Sequence, residues 1–472
     1  MPTATAVLDP PSATLDLSGA GMIALTRDLC QPRTAVVADG NETLFARIAA
    51  ELTGELPLEL IRVPSGESFN GWVVPQNWRV KRAKLYRDGR EVFDGTDNSL
   101  GVAYYSRSFS GELSWEALQP KLVSNPALPD AYMFHCMWQY RPWDADWRLV
   151  MPHRLLATLG PGRYRVELET EDAPGEMLIG VAQKTGRSPK TIVFNSNNCH
   201  PHMANDGFAG TAVLIRLMQW LATQDTFYSY RLVIAPEHLG SVFYLKNLPR
   251  AEVDRMVCGI FEEMPGTGGA IKATSTFAGG HMLDAAFANV LRHHSQAHEL
   301  VPWRCGAGND ETVWEAPGYE VPFVEVTRCE DQFAPYREYH SSLDTPDLMD
   351  PVQLEEMLAV LQRVVSVLEN NKIARRRFDG LICLSNPDYG LYMERPDPTV
   401  VKDLEADAET WGHLLDCLFR YLDGDHTLLE IAERHRLCFD RLLLYLQRFE
   451  AKGLVELTRA EIERRRPERV AP

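Results

Sequence analysis

The chain has 472 residues, of which 45% are hydrophobic and 24% charged, which excludes a disordered or fibrous protein and leaves room for about two to four domains with large buried cores. Its 48 Lys and Arg stand against 65 Asp and Glu, a net charge of −17, so bulk charge will not hold it on nucleic acid. The nine scattered cysteines include no Cys-x-x-Cys pair, there is no signal-peptide pattern and no apolar run of about 18 residues, so the expectation is a soluble cytoplasmic protein without a disulfide framework, a thiolate zinc site or a membrane span.

Residues 1–18 are rich in Pro, Ala, Thr and Ser and read as a frayed end. NETLFARIAAELTG predicts a helix, with Asn41 as N-cap and Gly54 as stop. From 65 to 180 the chain is dense in aromatic and turn residues. Short alternating runs such as AKLYRDGREVFDG and YRVELETEDAPG predict a mostly β module.

The pattern changes at 181–372. TIVFN, YRLVIAP, VCGIF and VPFVEV read as buried strands. GFAGTAVLIRLMQWLATQ and DPVQLEEMLAVLQRVVSVLENN read as helices, the second with Asp350 as N-cap and Pro351 at its first position. This alternation predicts an α/β layer on a parallel or mixed sheet. Residues 373–402 read as a linker. In 403–472, DGDHTLLEIAERH carries a capping box, Thr427 with Glu430, and FDRLLLYLQRFEAKG is followed by the strand-like LVEL. That order predicts a winged helix-turn-helix. From Asp423 onward ten acidic residues balance ten basic ones. The last helix is leucine-rich on more than one face, so a packing or dimerisation module is expected rather than a reader of DNA.

Chemistry-bearing residues gather just after the predicted strands, at the edge where α/β sheets form sites. SNNCHPHMAND brings His200, His202 and Asp206. PEHLGS brings Glu237 and His238. Glu262 and Glu263 follow VCGIF, and YHSSLDTPD brings His340 and Asp344. Imidazole and carboxylate together suit zinc, and a free carboxylate beside it can act as a general base. Glu262 should point to the opposite face from Glu263. Asp310 and Glu311 precede a short predicted helix. Either Asn309 or Asp310 caps that helix, or Asp310 and Glu311 form an anionic patch for a substrate ammonium group. Arg328 and Arg337 flank the last loop and could clamp a substrate carboxylate. There is no G-x-S-x-G elbow, P-loop or H-E-x-x-H.

The order His, Asp, Glu-x-x-Gly, acidic residue, Tyr-His-x-x-x-Asp-Thr resembles the co-catalytic zinc aminopeptidases, a group that includes the glutaminyl cyclases. The stretches GWVVPQNW, CHPHMAND, PEHLGSVFYL, GNDETVWEAPGYEVP, YHSSLD and DGDHTLLEIAERH more closely resemble bacterial aminopeptidase-like domain proteins with a C-terminal winged helix. The resemblance implies a zinc-aminopeptidase-like α/β/α sandwich with a mixed sheet, begun by residues 1–64, interrupted by the β module and followed by the winged helix. It implies one or two Zn²⁺ ions on His200, Asp206, His238, Glu263 and His340, with Glu237 as general base. Asp344 supports the last loop, and His202 lines the pocket or replaces His200. Two departures stand out: His202 replaces an aspartate of the aminopeptidase pattern, and His238 its second glutamate. The implied activity is metal-dependent hydrolysis of an amide or peptide bond in a small substrate, as in a biosynthetic pathway. The alternatives are acyl transfer or cyclisation at the same site, and a metal-free scaffold or regulator, with homo-oligomers formed through the winged helix.

Overall fold

The computed structural model describes residues 15–392 and 408–464, apart from Thr53, Glu55, Cys136 and Ala145. The end expected to fray lies mostly outside these residues, as do the last third of the expected linker, 393–402, and residues 465–472. At the centre is an eight-stranded mixed sheet. Its order is Leu58–Pro64, Glu176–Lys184, Ser229–Ala235, Thr191–Asn197, Met256–Glu262, Phe323–Thr327, Ile271–Thr274 and His298–Val301. The third to sixth of these run parallel, and Glu176–Lys184 runs antiparallel to both its neighbours.

Alternate residues of the parallel strands supply two separate cores, because successive side chains of a strand leave opposite faces. Ile192, Phe194, Leu232, Ile234 and Ile260 pack under the helices Ala209–Ala222, Met282–His294 and Pro351–Asn370. Val193, Val233 and Phe261 pack with the helix Leu239–Asn247 and with Trp314 on the other face. The result is the α/β/α sandwich that the sequence implied. Trp314 is fully buried, stacks on Phe323 with ring centroids 4.9 Å apart, and donates its indole N–H to Asn195 Oδ1 at 2.7 Å. Trp314→Ala should cost about 3–5 kcal/mol, read by chemical denaturation.

Asp350 caps its helix as expected, accepting the Val352 N–H at 2.9 Å. Asn41 does not cap the helix Gly40–Glu51. Asp39 holds that position, and the Asn41 amide instead donates to Ala35 O at 2.7 Å. The β module forms a four-stranded antiparallel sheet in the order Arg90–Asp94, Asn77–Arg87, Arg163–Ala173, Phe109–Ser114. Glu176–Lys184, expected within that module, belongs to the large sheet. It is buried on both faces from Met177 to Ala182, whereas a module strand such as Arg163–Ala173 begins in alternation.

The expected linker also begins as structure. Lys372–Arg376 is the central strand of a small antiparallel sheet, between Asp423–Thr427 and Val455–Arg459. Around it lie the helices Ala408–Tyr421, Leu428–His435 and Phe439–Ala451, and the capping box of Thr427 and Glu430 is formed. The apolar faces of the last two helices join the core beneath Met282–His294. Beyond the last strand the chain returns to the large domain: Ile462 is fully buried and its N–H reaches the Tyr228 hydroxyl at 2.8 Å. Among the described residues no helix is long and apolar enough to cross a membrane.

Candidate active site

Three candidate residues meet at the carboxyl ends of the parallel strands. The strand Thr191–Asn197 ends in a buried loop carrying His200, followed by a π-helical turn, Ala204–Phe208, that carries Asp206. The next helix sits directly on the neighbouring strand end. A Cβ on Gly210 would lie 2.6 Å from the backbone oxygen of Glu262, so only glycine permits that approach. Asp344 fixes the turn: its carboxylate accepts the N–H groups of Asn205 at 2.9 Å and Asp206 at 3.2 Å, and the Tyr336 hydroxyl at 3.0 Å. His340, at φ +51°, comes from the last loop.

One donor atom from each of His200, Asp206 and His340 lies within 4.8 Å of the other two. Asp206 Oδ2 is 3.1 Å from His200 Nε2 and 3.5 Å from His340 Nε2. The His200 tautomer is set from behind, because its Nδ1 lies 2.8 Å from the Pro201 carbonyl and must donate to it. In neutral imidazole, Nε2 then presents a lone pair to the carboxylate. His200 Nε2, Asp206 Oδ2 and Glu263 Oε1 are all buried with no hydrogen-bond partner. Buried acceptors left in this state are what a cation would satisfy.

The second pair follows the strand Ser229–Ala235. His238, at φ +55°, donates its backbone N–H to Asp310 Oδ1 at 2.6 Å, and its Nδ1 meets the same oxygen at 3.1 Å. Asp310 is fully buried and also takes the Ser241 hydroxyl. This carboxylate orients the ring and leaves Nε2 as the imidazole's other donor atom. Burial works against the His238 cation, but Asp310 and Glu237 outweigh it and hold its pKa up at about 9. Burial raises the Glu237 carboxyl above its ordinary value, and His238 only partly opposes it. Glu263 is pushed well above the carboxylate range by burial, then by Glu325, Asp206, Glu237 and Glu311. Burial lowers His340 to about 4. Carboxylates and imidazoles crowded in this way suit a divalent ion, and their donor set of nitrogen and oxygen suits zinc.

Other expected residues are placed elsewhere. Asp310 and Glu311 do not form a substrate-facing anionic patch. Glu311 is fully buried, accepting the Asn309 N–H at 2.7 Å and Arg304 at 3.1 Å. Arg328 is no substrate clamp either, being 2% exposed and spent on Gly269 O at 2.7 Å and Glu356 at 2.6 Å. Arg337 is exposed on the last loop. His202, at φ +54°, stays outside the trio. His238 and Glu263 also stand outside it, each held by its own partner: Asp310 for His238, and Asn309 Nδ2 at 2.9 Å for Glu263. Glu262 packs against Gly210 with both oxygens buried.

The sequence reading missed the aromatic walls. Phe134, from the β module, stacks on His200 with centroids 3.9 Å apart, and its N–H donates to His340 O at 2.7 Å. Tyr339 stacks on His340, also at 3.9 Å. Trp72, Tyr140, Arg141 and Trp143 line a pocket of about 590 Å³ together with Glu237 and His238. The unusual aromatic density of AYMFHCMWQYRPW, which fits no strand alternation, was the available signal.

The fold is that of the zinc aminopeptidases. A zinc aminopeptidase from Bacillus subtilis superposes with a TM-score of 0.56 at 14% identity, covering 75% of this chain and 95% of its own. A structure from Clostridium acetobutylicum, provisionally named a peptidase, superposes with a TM-score of 0.75 at 22% identity, covering 93% of this chain and 96% of its own. A Clostridium acetobutylicum protein provisionally named a polysaccharide biosynthesis protein with aminopeptidase-like domain is 26% identical over 321 residues, 67% of this chain and 71% of its own. Residues 24–371 match the family described as "Domain of unknown function (DUF4910)", and the chain belongs to it.

Proposed function

We propose that this protein is a zinc-dependent hydrolase that cleaves an amide bond in a small peptide-like substrate. The observation that carries the reading is the meeting of His200, Asp206 and His340 around unpartnered buried donor atoms. His238 and Glu263 would complete the donor set for one or two ions. When bound, zinc supplies Lewis acidity toward an amide carbonyl and makes water more acidic. Glu237 opens on the pocket and takes the proton from the attacking water, then passes it to the leaving amine. The Tyr140 hydroxyl, 3.5 Å from Glu237 Oε2, helps to hold that carboxylate in place. Trp72, Tyr140 and Trp143 wall the pocket and favour compact substrates with an apolar or sugar-ring face over extended protein chains. This fits a step on a biosynthetic intermediate, in keeping with the name of the Clostridium relative.

The test combines elemental analysis with turnover. Purified protein is reconstituted with zinc and offered aminoacyl amides and amide-linked sugar derivatives. The reading expects release of the amine with metal present and none after chelation. Protein that takes up no zinc, or whose turnover survives chelation, would sink it.

The C-terminal module is proposed not to read DNA. The N-terminal end of the helix Phe439–Ala451, which would enter a groove in such a fold, is covered by the large domain. The Phe439 N–H donates to Asn289 Oδ1 at 2.9 Å, and Asp440 lies 3.8 Å from His294. No salt-sensitive binding to duplex DNA is expected. Sub-micromolar binding to a defined site would overturn this.

A further inference from the structure

A second cluster of donor atoms lies in the C-terminal module. His413 and Cys417 are four residues apart on the helix Ala408–Tyr421, so their side chains share one face. His435 comes from the last turn of the helix Leu428–His435. One donor atom from each lies within 4.8 Å of the other two. Cys417 Sγ is 3.9 Å from His435 Nε2, and the two imidazole centroids are 5.5 Å apart. Tyr421, one further turn along the first helix, places its hydroxyl 3.0 Å from His435 Nε2. The cluster is graded from inside to outside: His435 is buried, Cys417 half-buried and His413 exposed. An ion therefore has a path in.

We infer that His413, Cys417 and His435 form a metal site that takes one zinc ion, or another borderline divalent ion, through two imidazoles and a thiolate. This donor set suits such ions. Binding releases the thiol proton, and His435 exchanges its contact with Tyr421 for the ion. Tyr421 or water is left at the fourth position. The ion ties the first helix of the module to the second. No Cys-x-x-Cys spacing announces the site, because a single helical turn supplies two ligands and a different helix the third.

A neighbouring group is weaker as a candidate. His294, Cys438 and Asp440 also come within 4.8 Å of one another at the seam between the module and the large domain. There Arg363 already stands 3.6 Å from Asp440 and supplies the positive charge.

The test uses the full chain, stripped of metal and titrated with Co²⁺. The ligands proposed for the active site include no cysteine, so a thiolate-to-cobalt charge-transfer band in the near ultraviolet reports on a cysteine-containing cluster and not on the active site. In Asp206→Ala, where the active-site ion is lost, the band should saturate at about one equivalent. It should vanish in Cys417→Ser and persist in both Cys438→Ser and Asp206→Ala. His413→Ala, at an exposed position, should weaken Co²⁺ binding by at least the roughly 10–100-fold that loss of an outer-shell partner costs. The inference falls if no band forms, if the band survives Cys417→Ser, or if His413→Ala leaves affinity unchanged. A band lost in Cys438→Ser instead would assign the ion to the seam and overturn it equally.

Discussion

Glu237→Gln should lower turnover by roughly 10²–10⁴-fold, the usual share of general acid–base catalysis, while zinc content stays at the wild-type level. The substitution keeps the size of the side chain and its place at the pocket wall, and removes only the proton acceptor. Its neighbour behaves differently. His238 is oriented from behind by Asp310 at 3.1 Å, so His238→Ala should weaken metal binding itself. Asp310→Asn should do so more mildly, within about 10–100-fold. Paired measurements of kcat and bound zinc separate these outcomes. Loss of zinc in Glu237→Gln would make that residue a ligand and reverse the roles of the pair.

Asp206→Ala should abolish both activity and the stabilisation by zinc. The carboxylate reaches Nε2 of both His200 and His340, so without it the two imidazoles meet with no negative charge between them. Saturating zinc, at about 100 times its dissociation constant, stabilises a folded protein by about 2.7 kcal/mol. That increment appears as a rise in Tm, and in the variant it should vanish. The comparison is made in a Cys417→Ser background, so that the C-terminal cluster contributes nothing. A zinc-induced shift undiminished by Asp206→Ala would place the ion elsewhere.

The layer architecture was readable because its strands are buried on both faces. TIVFN, YRLVIAP and VCGIF are short apolar runs that few other structures accommodate, and the polar residues after them fall at one edge of the sheet by the geometry of parallel strands. His200, Asp206 and His340 became visible in that way. What escaped is what depends on contacts between distant segments. Phe134 reaches His200 from 66 positions earlier in the chain, on a stretch with no regular period. Asp310 precedes a short helix and so resembles a cap, yet its carboxylate is committed to His238 and Ser241. Arg328 follows a strand like a site residue, but burial turns it into a brace between Gly269 and Glu356. Asn41 shows the same thing locally: a better bond, to Ala35, draws a good capping side chain away from its helix.

The central position of Lys372–Arg376 has a consequence for synthesis. When the ribosome has delivered the large domain, this strand follows at once, but its two partners are still about 50 to 80 residues away at the peptidyl-transferase centre. At roughly 5–20 residues per second, both of its edges stay open for several seconds. An open strand edge invites pairing with another nascent chain. The sequence here is KIARRR, with four cations in six residues, and like-charged copies repel one another. The repulsion opposes such pairing until Val455–Arg459 arrives and closes the sheet.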